Sequence, residues 1–324
     1  MTPRLGNAAG LRVGPYRATE SIRAEVLRGL LDDPKSLPPK LFYDRTGARL
    51  FEAICELPEY YLTRTELSIL RAHAGEIAGR CGENTALIEY GSGAGVKVRL
   101  LLDELRNPAA YVPVDISMEQ LAAVAAERAR QYPHLRVAPV HADYTTRFAL
   151  PSLPDDARRV AFFPGSTIGN LHPAEATAFL HRVRATVGPR GALILGVDRR
   201  KDASVLHAAY NDAAGVTAAF NLNMLARLNR ELDADFDLST FRHWAHFNDA
   251  ASRIEMHLES TMAQRVHVAD TPIDFERGET ILTECSYKYD LEFLEAVVRP
   301  AGFVIEELWT DARDWFWVGF LTPR

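Results

Sequence analysis

The chain has 324 residues, of which 47% are hydrophobic and 25% are charged, and these fractions are typical of a globular protein. A net charge of −6 argues against nucleic acid as the main partner, and an odd number of cysteines, three, argues against a disulfide scaffold. Because no apolar run is long enough to span a membrane and the N-terminus lacks a signal-peptide core, we expect a cytoplasmic protein without a membrane partner.

The pattern along the chain begins with residues 1–15, which are expected to form a flexible tail. From about residue 60 to 200, strands and helices alternate, which predicts a parallel sheet. The predicted strands are Ala86–Tyr90, Tyr111–Asp115, Val137–Ala142, Val160–Pro164 and Ala192–Val197. The predicted helices between them include Met118–Gln131 and Pro173–Thr186.

A glycine-rich segment, Ile88–Gly95, ends the first of these strands and leads into a helix. Such a turn brings bare backbone close to a ligand, and Asp115 follows at about the distance where nucleotide-binding folds place a ribose-binding carboxylate. The GxGxG spacing lacks the third glycine of a dinucleotide motif, and no Lys-Ser/Thr pair marks a triphosphate loop. The pattern therefore favours S-adenosylmethionine, which has no phosphates, although a tight turn without a ligand stays open.

Polar and glycine residues cluster after several of the predicted strands. Ligands of parallel sheets bind outside the carboxyl ends of the strands. One crevice should therefore be lined by Gly91, Gly93, Asp115, Asp143, Tyr144 and Asn170.

About ninety residues, from Arg199 to Glu284, interrupt the sheet pattern. They contain a predicted long helix, Ser204–Asn229, and two strand-forming runs, Ser252–Leu258 and Thr261–Val268. An insertion of this length is too large for a loop. We expect it to pack with the N-terminal piece as a second, discontinuous lobe of residues 16–60 and 199–286, beside a sheet domain of 61–198 and 287–324.

The C-terminal part resumes the pattern with a helix, Leu291–Arg299, and strands Phe303–Leu308 and Asp314–Leu321. The connection between these strands is too short for a right-handed crossover, so the last strand should run antiparallel. The prediction is an α/β fold with a seven-stranded sheet that resembles the Rossmann-like methyltransferase fold, plus the second lobe.

Other catalytic motifs are weak. His243 and His246, three residues apart, would share one helix face, but no acidic or cysteine residue joins them at a known ligand spacing, so we predict no metal. Ser166 lacks the GxSxG frame of a nucleophile elbow. Glu52 and Glu66 are interpreted as solvated acids.

Several blocks of the sequence resemble the histidine Nα-methyltransferases of ergothioneine biosynthesis. They lie at Pro39–Asp44, Leu57–Glu66, Phe163–Asn170, Tyr210–Asp212, Phe220–Asn223 and Thr283–Tyr289. Because they follow the family order from about residue 35 to the C-terminus, they are more specific than the glycine turn. The resemblance implies trimethylation of the α-amino group of L-histidine to hercynine, with S-adenosylmethionine as the methyl donor.

The resemblance also implies which residues bind the cofactor. They are Gly91, Gly93, Lys97, Asp115, Asp143 and Tyr144. In this interpretation Asp115 accepts from the ribose hydroxyls and Asp143 contacts the adenine. The alternatives are a turn or cap role for Asp143 and a solvated helix face for Lys97.

The amino-acid site implied by the resemblance uses residues of both lobes. Tyr60, Asn170 and Tyr210 would hold the α-amino and carboxylate groups, whereas Glu284 and Ser286 would bind the two nitrogens of the imidazole ring. Ordinary packing is the alternative for the two tyrosines, and helix capping is the alternative for Asn170. Glu284 and Ser286 could instead lie on the wet face of a strand.

The predicted mechanism needs no catalytic side chain, because orientation of the reactants and exclusion of water supply most of the rate. We expect a monomer that acts on a small molecule. The alternatives are a related methyltransferase for another amino acid or small amine, a silent binding module, and a nucleic-acid methyltransferase, which the charge disfavours. Tyr90 and Gly95 depart from the family's glycine turn, where a smaller apolar residue and a polar residue are expected. We expect this difference to change the cofactor affinity without preventing binding.

Overall fold

The computed structural model of the protein describes residues 12–13, 19–93 and 95–324. In chain order, the strands β1 to β14 in these ranges are Arg12–Val13, Lys35–Ser36, Thr85–Tyr90, Ala110–Asp115, Val140–His141, Arg158–Phe163, Ala192–Asp198, Phe241–Asn248, Arg253–Ser260, Gln264–Val268, Thr271–Phe275, Thr280–Tyr287, Phe303–Thr310 and Phe316–Pro323. The helices α1 to α9 are Thr19–Leu31, Arg45–Glu56, Tyr61–Cys81, Val96–Leu102, Met118–Gln131, Pro173–Val187, Ala203–Tyr210, Val216–Leu232 and Leu291–Val298. None of the helices in these ranges has the length and apolar character that a membrane crossing requires.

The large sheet joins eight strands in the order β1-β5-β4-β3-β6-β7-β14-β13. Its neighbours pair in parallel except for β14, which runs antiparallel to both β7 and β13. The predicted Rossmann-like methyltransferase sheet with an antiparallel last strand is therefore confirmed. Arg12–Val13 adds an eighth strand, because it pairs with the otherwise open edge of β5. It lies inside the predicted tail, 1–15, whose other residues fall outside the described ranges.

Both faces of the large sheet are buried, so its strands are nearly continuous apolar runs. Successive residues point to opposite faces. Ile88 of β3 packs in the layer that contains α6 and α9, whereas Leu87 packs in the layer that contains α3, α4 and α5. Because β3 to β7 are parallel, their carboxyl ends open at the same edge of the sheet, where the predicted crevice residues follow.

A second sheet has the strand order β2-β12-β9-β8, and β10 and β11 form a separate hairpin. These elements pack with α1, α2 and α8 in a second core, where Phe42 and Phe220 stack at a centroid distance of 4.4 Å. Strand β12 belongs to both cores, since Ile281 packs in the second core and Tyr287 packs under the large sheet. The two sheets therefore meet at β12.

The predicted long helix, Ser204–Asn229, is wrong in one respect, because the structure has two helices there, α7 and α8. Gly215 between them has a φ of +73°, which glycine adopts without strain. The Asp212 carboxylate accepts hydrogen bonds of 2.8 Å from the backbone N–H groups of Val216 and Thr217. Asp212 thus caps α8 and starts a new helix.

The predicted shared helix face of His243 and His246 is also wrong, because both residues lie on β8. Residues three apart on a strand face opposite sides. His243 contacts the Tyr210 carbonyl oxygen at 2.8 Å, whereas the His246 ring stacks on Trp244 on the other face of the sheet.

Candidate active site

The glycine turn after β3 leaves open space beside bare backbone. Gly91 and Gly93 have φ angles of +72° and +46°. A Cβ atom added to Gly93 would meet no other residue of the described ranges within 4 Å, so the positive φ, and not crowding, requires glycine there. A ligand can therefore approach the backbone of this turn closely.

Asp115 ends β4 beside the turn, and only 7% of its surface is exposed. Its Oδ2 accepts from the backbone N–H of Gly93 at 3.1 Å, and its Oδ1 accepts from that of Ser117 at 2.8 Å. Burial raises the pKa of Asp115, although these backbone hydrogen bonds act to lower it. The carboxylate is fixed at the turn as an acceptor, which suits the hydroxyls of a ribose.

Asp143 and Tyr144 follow β5 at the same edge. The Asp143 Oδ1 accepts from the backbone N–H of Thr145 at 2.9 Å, so one oxygen of this carboxylate holds a turn, and this contact does not involve Oδ2. The Tyr144 ring lies 3.6 Å from the position of a Cβ on Gly91 and packs edge-on against Phe163. Tyr144 therefore forms a wall beside the glycine turn.

Lys97, in the first turn of α4, does not lie on a solvated helix face. Its Nζ is 2.6 Å from Glu66 Oε2, and Glu66 is fully buried. Both Glu66 oxygens also accept from the backbone N–H of Gly165 at 2.9 Å. The interpretation of Glu66 as a solvated acid is wrong, because this carboxylate links α3, α4 and the turn after β6. Glu52, in contrast, is exposed as predicted.

A small pocket lies where the second sheet meets this crevice. It is lined by Phe51, Ile54, Tyr60, Ala209, Tyr210, Thr217, Phe220, Met256 and Glu284. Three of the five predicted substrate residues are therefore among its walls.

The five predicted substrate residues contact one another in two groups. The rings of Tyr60 and Tyr210 meet edge to face at 6.4 Å, and the hydroxyls of Tyr210 and Ser286 are hydrogen-bonded at 2.8 Å. The Asn170 side-chain amide donates to Glu284 Oε2 at 3.2 Å. Positions that lie up to 226 residues apart in sequence, from Tyr60 to Ser286, are thus brought together.

Two of the alternatives for these residues are wrong. Asn170 does not cap the following helix, because His172 is the N-cap residue of α6. Glu284 and Ser286 do not lie on a wet strand face, since only 9% and 3% of their surfaces are exposed. These positions are interior polar groups at the junction of the two sheets.

Burial dominates the electrostatics of the pocket. It raises the pKa of Glu284 to about 7, against the nearby Lys288 ammonium, which lowers it. Burial also raises the pKa of Tyr60 and of Tyr210. The phenols therefore remain neutral hydrogen-bonding groups near neutral pH.

A buried ionic network behind the pocket was missed by the sequence analysis. Asp198 Oδ2 accepts from the Tyr61 hydroxyl at 2.7 Å and lies 2.9 Å from Lys288 Nζ, while Lys201 pairs with Oδ1. Burial lowers the pKa of Lys201 to about 8, against the attraction of Asp198. The position of Asp198 at the carboxyl end of β7 was the sequence signal that could have revealed it.

A group of possible metal ligands lies on the face of β8 and β9 opposite Met256, which lines the pocket. The ligand atoms of His246, Glu255 and His257 lie within 4.8 Å of one another. However, Glu255 Oε1 already accepts from Arg253 Nε at 2.7 Å. The arginine neutralises this carboxylate, and the absence of a metal stays a prediction.

Comparison with known proteins identifies the family. The model of the family described as "Histidine-specific methyltransferase, SAM-dependent" matches residues 22–323. A protein of Mycolicibacterium smegmatis named histidine N-alpha-methyltransferase is 45% identical over 299 residues, which cover 91% of this chain and 92% of that protein. Its namesake from Mycobacterium tuberculosis is 44% identical over 296 residues, 90% of this chain and 91% of that protein.

A fungal relative carries a pathway name. Ergothioneine biosynthesis protein 1 of Neurospora crassa is 35% identical over 203 residues, which cover 61% of this chain and 23% of that much longer protein. The sheet topology, the glycine turn and the family match agree with one another. The chain therefore belongs to the S-adenosylmethionine-dependent, histidine-specific methyltransferase family.

Proposed function

We propose that this enzyme transfers three methyl groups from S-adenosylmethionine to the α-amino nitrogen of L-histidine and forms hercynine for ergothioneine biosynthesis. The observation that carries the proposal is the contact of Asn170 with Glu284 and of Tyr210 with Ser286 around one small pocket. This arrangement supports a site in which one set of groups would hold a zwitterion and the other set would hold a ring.

The cofactor half of the site is proposed to lie along the glycine turn. When bound, S-adenosylmethionine supplies an electrophilic methyl group on its sulfonium. The open space beside Gly93 would let the cofactor lie against the backbone of the turn. The fixed carboxylate of Asp115 would accept hydrogen bonds from its ribose hydroxyls. We propose that Asp143 and Tyr144 contact the adenine and that Lys97 contacts the carboxylate of the cofactor's methionine part.

The substrate half is proposed to bind histidine through both ends. Tyr60, Asn170 and Tyr210 orient the α-amino and carboxylate groups by directional hydrogen bonds. Glu284 accepts from a ring N–H, and Ser286 bonds the other ring nitrogen. A ring without two nitrogens could not bond to Glu284 and Ser286 at once, and this requirement is the proposed basis of selectivity.

The chemistry requires a neutral α-amine, and at pH 7 roughly a tenth or less of such amines is neutral. The neighbouring phenols keep their protons because burial raises their pKa, so no phenolate is available to act as a base. We propose that the site selects the neutral amine and that solvent accepts the proton. Orientation and exclusion of water then supply most of the rate.

The lobes are proposed to act together as a monomer in the cytoplasm, without nucleic acid as a partner. Residues 16–60 and 199–286 form the substrate-binding lobe in this proposal, and 61–198 and 287–324 form the methyltransferase domain. The Asn170–Glu284 hydrogen bond joins the segment after β6 of the large sheet to β12 of the second sheet. Histidine bound between them would be shielded from water.

The first experiment incubates the purified protein with S-adenosylmethionine and each of the twenty amino acids, with products identified by mass. We expect histidine alone to gain up to three methyl groups. Glu284→Ala is the control, because it removes the ring acceptor and should lower transfer to histidine selectively. Methylation of another amino acid would contradict the ring assignment and favour the related methyltransferase, and no transfer at all would favour the silent binding module.

A further inference from the structure

Lys288, the residue after β12, is fully buried behind the ring-binding pair. Its ammonium lies 2.9 Å from Asp198 Oδ2, 3.0 Å from the Tyr210 hydroxyl and 2.8 Å from the Ser286 hydroxyl. An ammonium has three N–H groups, so all three are used. Burial alone would lower the pKa of Lys288, but Asp198 and Tyr210 raise it above its usual range, and the lysine remains a cation.

The hydrogens of the two hydroxyls can be counted from these contacts. Lys288 fills one acceptor position on Tyr210 and one on Ser286. The hydroxyls are also bonded to each other at 2.8 Å, which uses one of their two hydrogens. The other hydrogen has no acceptor among the residues that the structure describes. It is the hydrogen of Ser286 when Tyr210 donates to Ser286, and Ser286 lies next to Tyr210 and two residues from Glu284, which both line the pocket.

We propose that Lys288 is a positioning residue that makes the Tyr210–Ser286 pair present one O–H donor to the pocket beside the acceptor Glu284. The acceptor Glu284 matches a ring N–H, and the O–H donor matches a ring nitrogen without a hydrogen. A ring with one nitrogen of each kind is a neutral azole in a single tautomer. A ring protonated on both nitrogens would direct its second N–H at a donor that is already polarised by an ammonium. This inference rests on the proposed binding of an imidazole by Glu284 and Ser286.

Lys201 provides a matched control, because it contacts the same Asp198 carboxylate but bonds to the Tyr61 hydroxyl instead of Tyr210 and Ser286. Lys288→Met and Lys201→Met therefore each remove one buried cation from Asp198. Lys288→Met alone releases the two hydroxyls. The substrates to compare are histidine and the two pyrrolylalanine isomers, in which carbon replaces one ring nitrogen and a single N–H remains.

The measurement is the ratio of kcat/KM for histidine to kcat/KM for the better pyrrolylalanine isomer. Because a polarised, oriented donor is lost, we expect Lys288→Met to lower this ratio about tenfold, while Lys201→Met leaves it unchanged. A purely structural role for Lys288 would lower kcat/KM for both substrates equally. An unchanged ratio in Lys288→Met would overturn the inference.

A second measurement needs only the unmodified protein. Nitrogen-15 NMR of ring-labelled histidine, bound with S-adenosylhomocysteine at pH 7.5, should show one protonated and one bare ring nitrogen in a single tautomer. Two protonated nitrogens, or a mixture of tautomers like that of free histidine, would overturn the inference. If the unmodified protein neither binds nor methylates histidine, the proposed function itself fails, which separates that failure from this one.

Discussion

Tyr60 lies between two other aromatic rings, with centroid distances of 6.3 Å to Phe51 and 6.4 Å to Tyr210. Its hydroxyl can bond an amine that still carries hydrogens, but a quaternary ammonium has no donor and interacts with the ring face instead. The aromatic ring and the hydroxyl should therefore matter at different methylation steps.

We predict that Tyr60→Leu slows the third methyl transfer about tenfold relative to the first, because a cation–π contact of roughly 0.5–2 kcal/mol is lost. Dimethylhistidine should then accumulate in a time course followed by mass spectrometry. Tyr60→Phe keeps the ring and serves as the control, with hercynine as its main product. Normal completion of the third step by Tyr60→Leu would contradict the role of the ring.

Glu284 makes the stability of the protein depend on pH. Burial raises its pKa from 4.5 to about 7 in the folded state, so the folded protein holds a proton between these values that the unfolded chain has released. The stabilisation from this group is fully present below pH 4.5 and is lost as pH rises through about 7.

We predict that the stability of the wild type relative to Glu284→Gln falls by up to about 3 kcal/mol between pH 4.5 and pH 8. Glutamine is neutral throughout and can keep the Asn170 contact, so other titrating groups cancel in the difference. Urea unfolding at several pH values measures the free energies. Parallel curves for the two proteins would show that burial does not raise the pKa of Glu284.

Individual residues were predicted best where chemistry and strand position agree. Asp115 was singled out because an acidic residue at the carboxyl end of a strand is a local feature of the sequence, and it does end β4, although its contact with the cofactor stays a prediction. Lys288 and Glu66 were not found, because their roles depend on partners such as Asp198 and Gly165 that lie about ninety or more residues away. Nothing in the local pattern distinguishes a buried, paired charge from a solvated one.

Among the elements, the start of α4 connects the glycine turn to the rest of the domain. Gly95 is the N-cap residue of α4 with a φ of +67°, and a Cβ on it would lie 3.0 Å from Val124 Cγ1. Arg128 also donates to the Gly95 carbonyl oxygen at 3.1 Å. The glycine that departs from the family pattern is thus explained by close packing against α5.

We predict that Gly95→Ala destabilises the protein by about 2 kcal/mol, since strain at positive φ adds to the steric contact. It should also weaken S-adenosylmethionine binding severalfold, because α4 carries Lys97. Gly188→Ala is a matched control: Gly188 has a φ of +73° and nothing within 4 Å of its Cβ position. Chemical denaturation and calorimetry measure both effects, and equal losses of affinity in the two variants would contradict the role of the turn.

The elements of the large sheet were predicted well, whereas the elements of residues 199–286 were predicted only in part. The strands of the sheet are continuous apolar runs between turns, which is a strong local signal. Strand β8 was missed because the apolar–polar alternation that marks a strand is blurred: His243 shares the face on which Phe241 and Ala245 pack in the second core, whereas the apolar Trp244 lies on the outer face. The break between α7 and α8 depends on a cap by Asp212, which resembles an ordinary polar residue in sequence.

At the scale of the whole molecule, the two sheets provide separate halves of the proposed site, for which we predict no metal. We predict that treatment with a chelator leaves methyl transfer unchanged, because the Arg253 guanidinium already neutralises Glu255 beside His246 and His257. Assays before and after exhaustive dialysis against the chelator measure the effect. A loss of activity that zinc restores would contradict the prediction and direct attention to these three residues.

The sequence by itself determined the order of strands and helices in the large sheet, the glycine turn with Asp115, and the family, because these depend on local periodicity and on motifs in a fixed order. Only the tertiary structure decided which polar residues are interior and which contact one another. The pairs Asn170–Glu284, Tyr210–Ser286 and Asp198–Lys288 join positions between 76 and 114 residues apart. The physical reason is that burial and pairing of charges arise when separate segments pack together, and no single segment contains that information.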